Sequence, residues 1–331
     1  HHLSLTGDNL DGWQQDFNAM ELINSGAVQT NPMELFTDWC GLINHGLKVT
    51  PVGCSDSHDV SRYIVGQGRT YIQADDHDPG SIKPEAALDS FLNGRVIVSY
   101  GLLVQLQVES GTDPAGSQGP GGTVRIKQDA DSKKQAMLEI NATVQAPHWS
   151  RPREVTLFIN GMPRFTTKLN PQADAKQPYA TTVQWKIPAK ELPHDAWLTA
   201  VAAGDGIKSP HWPTAKPYQP DSEVFESTTF SCTGPIWLDA DGDGAYQSPR
   251  DYAKDLLSRS PVDSKTGKPD LEALAQSLVP YDQAVVNQTL ALLLKRDVEP
   301  SQAIAAGIGK RGREFERQWR QCMQARLEQQ E

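Results

Sequence analysis

The apolar residues of this chain repeat with two different periods, and the change between them is the strongest constraint on its fold. Up to about residue 105, short apolar runs alternate with stretches in which apolar residues recur every three or four positions, which is the spacing of one helix face. From about residue 106 to 236 that spacing is absent, and short segments alternate or cluster apolar residues between turn signals. A region of mixed helices and strands therefore precedes a region of strands.

Region 1–105 is predicted to alternate strands and helices. Its apolar runs are short, and each helix-like stretch ends at an Asn or Gly that suits a helix C-terminus. We predict strands at 19–23, 49–52 and 96–98, and helices at 32–45 and 82–92. This order is typical of an α/β unit with parallel strands.

Region 106–236 is predicted to be a β-sandwich. Its strand-like segments include 136–144, 154–159 and 197–202, and roughly seven short strands over this length match an immunoglobulin-like domain. Asn160-Gly161 lies between two such segments and predicts a tight hairpin, because both residues tolerate a positive φ. The stretch 111–122, rich in Gly, Pro and Ser, is either a linker or a long loop.

Region 237–331 begins with a carboxylate-rich loop and is predicted to end in helices, with 284–294 as a packed helix. The 331 residues favour two or three domains, and the net charge of −10 argues against a nucleic-acid-binding surface. Arg residues are frequent in 310–326, but interleaved Glu residues indicate an exposed, salt-bridged helix. No apolar stretch is long enough to predict a membrane-spanning segment.

The most specific local signal in the first region is an Asp and a His two positions apart at the end of a predicted strand. Asp56 and His58 follow the run 49–52, and side chains at positions i and i+2 of an extended chain point the same way. A carboxylate and an imidazole suit a zinc, manganese or iron ion. The alternative interpretation is that Asp56 caps the following turn and that His58 is an exposed loop residue.

This segment resembles the end of the polymerase and histidinol phosphatase (PHP) metallohydrolase domain, in its CehA/McbA-like branch. The resemblance covers residues 17 to about 108 and, more loosely, the sandwich and the acidic loop that follow. The matching elements, in chain order, are 20–26, Trp39 with 44–46, 53–58, 68–71 and 93–101. The resemblance implies a partial, distorted (β/α)7 barrel, followed by an immunoglobulin-like β-sandwich and a helical C-terminal tail.

The resemblance also implies a chemistry. Asp56 and His58 become ligands of a divalent transition metal, and the chain becomes a metal-dependent hydrolase of a phosphoester, ester or amide bond in a small-molecule substrate. Arg69 is a candidate catalytic anion binder or, equally, a structural residue. The first-strand His motif of the family is absent, so we expect an N-terminally truncated chain whose missing part completes the site, or a protein that is not catalytic.

The acidic loop predicts a second metal site. Asp239, Asp241 and Asp243 occupy positions 1, 3 and 5 of a calcium-loop pattern, and Gly244 occupies position 6, where the sharp turn falls. Position 12 is an Arg instead of a Glu, and Asp251 follows one residue later as a candidate ligand. The alternative is a solvated acidic turn.

A structural calcium loop favours a periplasmic or extracellular location, because cytosolic calcium is scarce. The alternative to a hydrolase is a binding or structural module that is not catalytic and that calcium stabilises.

Overall fold

The computed structural model describes residues 15–58, 64–111, 113, 115–126, 137–171, 177–208, 213–214, 227–262, 264, 267–296 and 298. Within them the chain forms thirteen strands and five helices, so the protein is a mixed α/β protein. The first elements are β1 (Ala19–Ile23), α1 (Pro32–Asn44) and β2 (Thr50–Gly53). Strands β3 to β13 are Gly68–Ile72, Val96–Tyr100, Leu103–Ser110, Thr123–Arg125, Met137–Ala146, Pro152–Ile159, Met162–Lys168, Tyr179–Pro188, Ala196–Asp205, Thr228–Thr233 and Ile236–Asp239. Helices α2 to α5 are Pro84–Leu92, Pro249–Arg259, Leu271–Ser277 and Gln283–Lys295.

The β1-α1-β2 unit has its expected form, with β1 and β2 paired in parallel. Helix α1 begins where the Asn31 side chain accepts a hydrogen bond from the Met33 amide at 3.0 Å, and Pro32 takes the first helical position. It ends before Gly46, whose φ of 96° is readily adopted only by glycine. Local capping chemistry thus sets both ends of the helix between the two strands.

The remaining strands form two sheets. The larger has the order β3-β4-β12-β11-β13-β6, and β8 pairs with β11 and carries β9. The smaller has the order β10-β7-β5. No barrel closes within the described ranges.

The two sheets pack face to face on one hydrophobic core. Strand β7 alternates buried residues with partly exposed ones, and its Leu138, Ile140 and Val144 are fully buried. They pack with Leu157 of β8 and Leu198 of β11. Burying each such aliphatic side chain contributes roughly 1.5–3 kcal/mol, so this interface is a main source of stability.

Helix α1 covers the other face of the larger sheet. Trp39 of α1 and Trp197 of β11 are fully buried, and their rings meet edge to face with centroids 5.4 Å apart. Phe36 contacts Phe158 in the same way, at 4.9 Å. The protein is therefore layered as sheet, sheet and helix, and the β1-α1-β2 unit is held against the strand-rich region.

The larger sheet also contains strands from both sides of the predicted boundary at 105/106, because β4 pairs with β12 and Val98 lies opposite Cys232. The expectation of parallel strands in region 1–105 holds for β1 and β2, but β3 and β4 pair antiparallel. Strands β3 and β4 belong to the consecutive antiparallel strands β3-β4-β12-β11, and β3 is the edge strand.

Helices α3, α4 and α5 pack on one another around a third cluster that includes Leu257, Leu274 and Leu290. Helix α5 corresponds to the predicted packed helix at 284–294. The predicted charged helix at 310–326 lies outside the described residues.

Candidate functional site

The carboxyl ends of β1 and β2 bring Asp56 and His58 together. Asp56 Oδ1 lies 2.8 Å from His58 Nε2, so the two side chains are in contact. The Asp56 side chain is 36% exposed and that of His58 is 72% exposed, which leaves both donors open to solvent. Because β1 and β2 are parallel, their carboxyl ends deliver side chains from two strands to one edge.

Ser25, in the turn after β1, fixes the Asp56 carboxylate. Its hydroxyl donates to Asp56 Oδ2 at 2.6 Å. This hydrogen bond lowers the pKa of the Asp56 carboxyl, and the neighbouring His58 lowers it further. Asp56 also has a φ of 46°, a left-handed conformation that non-glycine residues adopt infrequently. The carboxylate is therefore held ionised in one orientation, which suits a metal ligand or a partner for an imidazolium.

Three more polar side chains share this edge. Asn24 Nδ2 donates to Glu21 Oε2 at 3.1 Å, and Asn24 Oδ1 accepts from the Ala27 amide at 2.8 Å. Partial burial, together with the hydrogen bond and charge of Glu21, raises the pKa of the Cys54 thiol to about 11. The Cys54 thiol is therefore protonated at neutral pH.

Arg69 makes no hydrogen bond to Asp56 or His58. It lies on β3, where its Nε donates to the Gly66 carbonyl at 2.7 Å and its Nη1 to the Tyr71 hydroxyl at 3.2 Å. Arg69 lines a pocket to which neither Asp56 nor His58 contributes. Gly66, which accepts from Arg69, donates its amide to Ser55 Oγ at 3.0 Å, so Arg69 is linked to the residue that precedes Asp56 through one intervening residue.

The acidic loop after β13 forms the densest carboxylate cluster. Asp195, Asp239 and Asp241 have carboxylate oxygens within 4.8 Å of one another, the sole group of three or more potential His, Cys, Asp or Glu ligands in the described ranges. Asp56 and His58 thus have no third such donor at this distance among the residues that the structure describes. Hard oxygen donors of this kind suit calcium better than a transition metal.

Backbone amides hold the two buried carboxylates of this cluster in place. Asp239 Oδ1 accepts from the Gly242 amide at 2.7 Å, and Oδ2 accepts from the Gly244 amide at 2.9 Å. Asp195 accepts from the amides of Ala240 and Gln247, both at 2.8 Å. The loop is therefore wrapped around two fixed carboxylates.

Burial makes the negative charges of this cluster unfavourable. Asp195 and Asp239 are fully buried. Burial raises the pKa of the Asp195 carboxyl, and the charges of Asp241 and Asp239 add to this, although its two amide hydrogen bonds oppose it. Arg125, on β6, places a cation beside the cluster, with its Nε 3.8 Å from Asp239 Oδ2. A bound divalent cation would relieve the repulsion among three carboxylates.

The two other predicted loop ligands, Asp243 and Asp251, are not part of this group of three carboxylates. Asp243 is exposed, and its Oδ1 accepts from the Ala245 amide at 2.8 Å. Asp251 forms the capping box of α3 with Ser248, whose hydroxyl donates to Asp251 Oδ2 at 2.6 Å. Burial tends to raise the pKa of the Asp251 carboxyl, but the hydrogen bonds from Ser248 outweigh it, so that this pKa lies below its ordinary value.

Sequence reasoning missed Ser25 and Asp195. Ser25 follows a predicted strand, and a serine at the carboxyl end of a parallel strand is a signal that could have identified it. Asp195 carries no local signal, because only the pairing of β11 with β13 brings it to the loop. Its carboxylate lies within 4.8 Å of those of Asp239 and Asp241.

Comparison with protein-family models, with curated proteins and with solved structures found no match for this chain. None of the helices in the described ranges has the length and apolar character needed to cross a membrane. The fold and the two sites therefore define a mixed α/β protein with several sheets, a carboxylate-imidazole pair and a buried acidic cluster.

Proposed function

We propose that this chain is a metal-dependent hydrolase of the PHP type, in which Asp56 and His58 hold a divalent transition metal. The observation that carries the proposal is the 2.8 Å approach of Asp56 Oδ1 to His58 Nε2 at the carboxyl ends of two parallel strands. In this interpretation β1-α1-β2 is a segment of a distorted (β/α)7 barrel, and the packed sheets are an immunoglobulin-like sandwich.

The donors fit such an ion in chemistry and spacing. Two tetrahedral ligands that are each about 2.0–2.2 Å from one zinc ion are roughly 3.4 Å apart, so the hydrogen-bonded pair at 2.8 Å would open by about half an ångström to admit the ion. The hydrogen bond from Ser25 keeps the Asp56 carboxylate ionised and oriented. The remaining ligands would come from other residues of the protein, because these two make up only part of a coordination shell.

A bound divalent ion supplies Lewis acidity and lowers the pKa of a water molecule. The residues of this chain would bind the ion through Asp56 and His58 and orient Asp56 through Ser25. The exposure of His58 leaves this edge open to a small-molecule substrate. A phosphoester is the first substrate class to test, followed by carboxylic esters and amides.

The test compares the wild-type chain with Asp56→Asn and with Asp78→Asn. Asp78 is a matched control, because it too is an exposed aspartate that accepts a serine hydroxyl at 2.6 Å, from Ser81. We expect elemental analysis to find zinc, manganese or iron in the wild type and in Asp78→Asn but not in Asp56→Asn. Hydrolysis of bis(p-nitrophenyl) phosphate should follow the same order. Equal metal content in all three proteins would overturn the proposal.

The acidic cluster favours a second candidate function, a non-catalytic and calcium-stabilised binding or structural module. Its supporting observation is the convergence of Asp195, Asp239 and Asp241. Calcium-dependent stability together with an absence of transition metal and of hydrolysis would favour this function. A periplasmic or extracellular location belongs to both candidates, since calcium is abundant there.

A further inference from the structure

A pocket of about 400 Å³ lies where the edge of the larger sheet meets the ends of the smaller one. Its walls come from β3, from the β4-β5 turn, from the β7-β8 turn and from the start of β10. The side chains that give it chemical character are Arg69, Tyr71, Ser99, Gln145, Trp149 and Tyr179. This volume falls within the range of small-molecule sites.

Among the described residues, Arg69 is the sole charged one that lines the pocket. Within the described part of the chain it forms no ion pair, whereas Arg95, Arg125 and Arg164 each contact a carboxylate. In a chain with a net charge of −10, a pocket whose one charge is positive and unopposed selects for anions.

The guanidinium is also held in position before any ligand binds. Its Nε donates to the Gly66 carbonyl at 2.7 Å and its Nη1 to the Tyr71 hydroxyl at 3.2 Å. These two hydrogen bonds restrict the side chain, so less conformational entropy is lost on binding. The Nη2 group makes no hydrogen bond to the described residues and remains available to an anionic oxygen.

The opposite side of the pocket is aromatic and apolar. Trp149 lies in the β7-β8 turn, which is closed by a hydrogen bond from the Ser150 amide to the Pro147 carbonyl at 3.0 Å. The His148 ring meets the Trp149 ring edge to face at 4.9 Å. Tyr179 and Pro147 extend this surface. Such walls suit a flat or apolar ligand body.

We propose that this pocket binds a small organic anion, with its carboxylate or phosphate on Arg69 and its flat, apolar body against Trp149 and Tyr179. The site is separate from the Asp56-His58 pair, which does not line it. The proposal goes beyond the hydrolase function and does not depend on it.

The test titrates the metal-free full-length chain with phenyl phosphate, benzoate and the neutral benzyl alcohol, and follows the indole N–H signal of Trp149 by NMR. Trp149→Phe assigns that signal. We expect at least one anion to bind saturably and about tenfold or more tightly than benzyl alcohol. The stronger of the two anions identifies phosphate or carboxylate as the preferred group.

Two variants make this test specific. Arg69→Gln should weaken anion binding about tenfold or more and leave benzyl alcohol unchanged, whereas Arg95→Gln, which alters an arginine outside the pocket, should change neither. Thermal melting of each variant verifies that the fold is intact. The proposal would be overturned if neither anion bound saturably at concentrations up to about 10 mM, or if the Arg69→Gln variant bound the anions as tightly as the wild type does.

Discussion

Asp195 and Asp239 are both fully buried, and their carboxylates lie within 4.8 Å of each other. Pairing of β11 with β13 brings them near each other, because Asp195 directly precedes Ala196, which lies opposite Leu238, and Asp239 directly follows Leu238. Two buried carboxylates this close repel each other unless a proton or a cation intervenes. Their juxtaposition gives the first two predictions.

Calcium is expected to stabilise the protein through this cluster. At a concentration 100 times its dissociation constant, an ion that binds only the folded state adds about 2.7 kcal/mol to the free energy of unfolding. Asp239→Asn should abolish the calcium-induced rise in melting temperature, and the exposed Asp76→Asn should not. Differential scanning calorimetry with EDTA, calcium or magnesium measures this. Equal shifts in the wild type and in Asp239→Asn would contradict the assignment.

The raised pKa of Asp195 predicts a pH dependence with a definite sign. Burial keeps a proton on Asp195 in the folded state at pH values where the unfolded chain has already released it. The contribution of Asp195 to the free energy of unfolding therefore falls as pH rises from the ordinary carboxyl pKa of 3.8 in the unfolded chain through the raised pKa of the folded state.

Chemical denaturation of the wild type and Asp195→Asn in EDTA, at several pH values, tests this dependence. The difference between the two proteins isolates Asp195 from the other carboxyl groups. The wild type should lose stability relative to the variant as pH rises, and calcium should reverse that loss. A pH-independent difference would count against the buried carboxyl.

Patterns confined to neighbouring residues predicted much of the fold. Helix α1 and the hairpin at Asn160-Gly161 follow from local spacing and turn chemistry, and these two turn residues have φ values of 49° and 76°. Strand β3 was not predicted, because it is an edge strand whose residues are mostly exposed and lack a clear alternation. Whether such a segment forms a strand depends on its pairing with strands that are distant in the sequence.

The candidate sites divide in the same way. Asp56 and His58 are two positions apart and their side chains meet, but Asp56 follows the end of β2 with a φ of 46°, so the extended-strand geometry behind the prediction is not what brings them together. Asp195 reaches Asp239 through long-range strand pairing, which no local pattern encodes. Asp251 has the spacing of a helix-capping residue as well as that of a loop ligand, and the structure places it in the capping box of α3.

The capping role of Asp251 is separable from a role in calcium binding. Ser248→Ala removes the hydroxyl that donates to Asp251 and should lower the free energy of unfolding by about 1 kcal/mol. Asp251→Ala should do the same. In both variants the calcium-induced shift in melting temperature should equal that of the wild type. A calcium effect lost only in Asp251→Ala would instead make that residue a ligand.

Asn160 combines a turn conformation with a buried hydrogen-bond network. Its Oδ1 accepts from the Trp197 amide at 3.0 Å, and its Nδ2 donates to Asp282 Oδ2 at 2.7 Å. Asn160→Gly removes both hydrogen bonds and should lower the free energy of unfolding by about 2–4 kcal/mol. Asn160→Ala should lose a further 1 kcal/mol or so, because alanine disfavours a positive φ. Equal urea midpoints for the two variants would show that φ contributes nothing.

The thiol of Cys54 reports on the geometry of the β1-β2 edge. Since partial burial and Glu21 raise its pKa from 9.0 to about 11, its thiolate fraction at pH 8 is about 100-fold below that of an unperturbed cysteine. Alkylation by iodoacetamide should be slower by about tenfold or more, because the greater nucleophilicity of a higher-pKa thiolate offsets part of the loss in thiolate fraction. Glu21→Gln should speed it several-fold, but not fully, because burial is the larger cause.

Quantitative mass spectrometry of the Cys54 peptide measures this rate in a Cys322→Ser background. Cys40 and Cys232 are buried and should stay unmodified in the folded protein, so they serve as internal controls. The same chain in urea gives the rate of an unperturbed thiol. A folded rate equal to that rate would mean that Cys54 is not held beside Glu21, and the arrangement of this edge around Asp56 would then need revision.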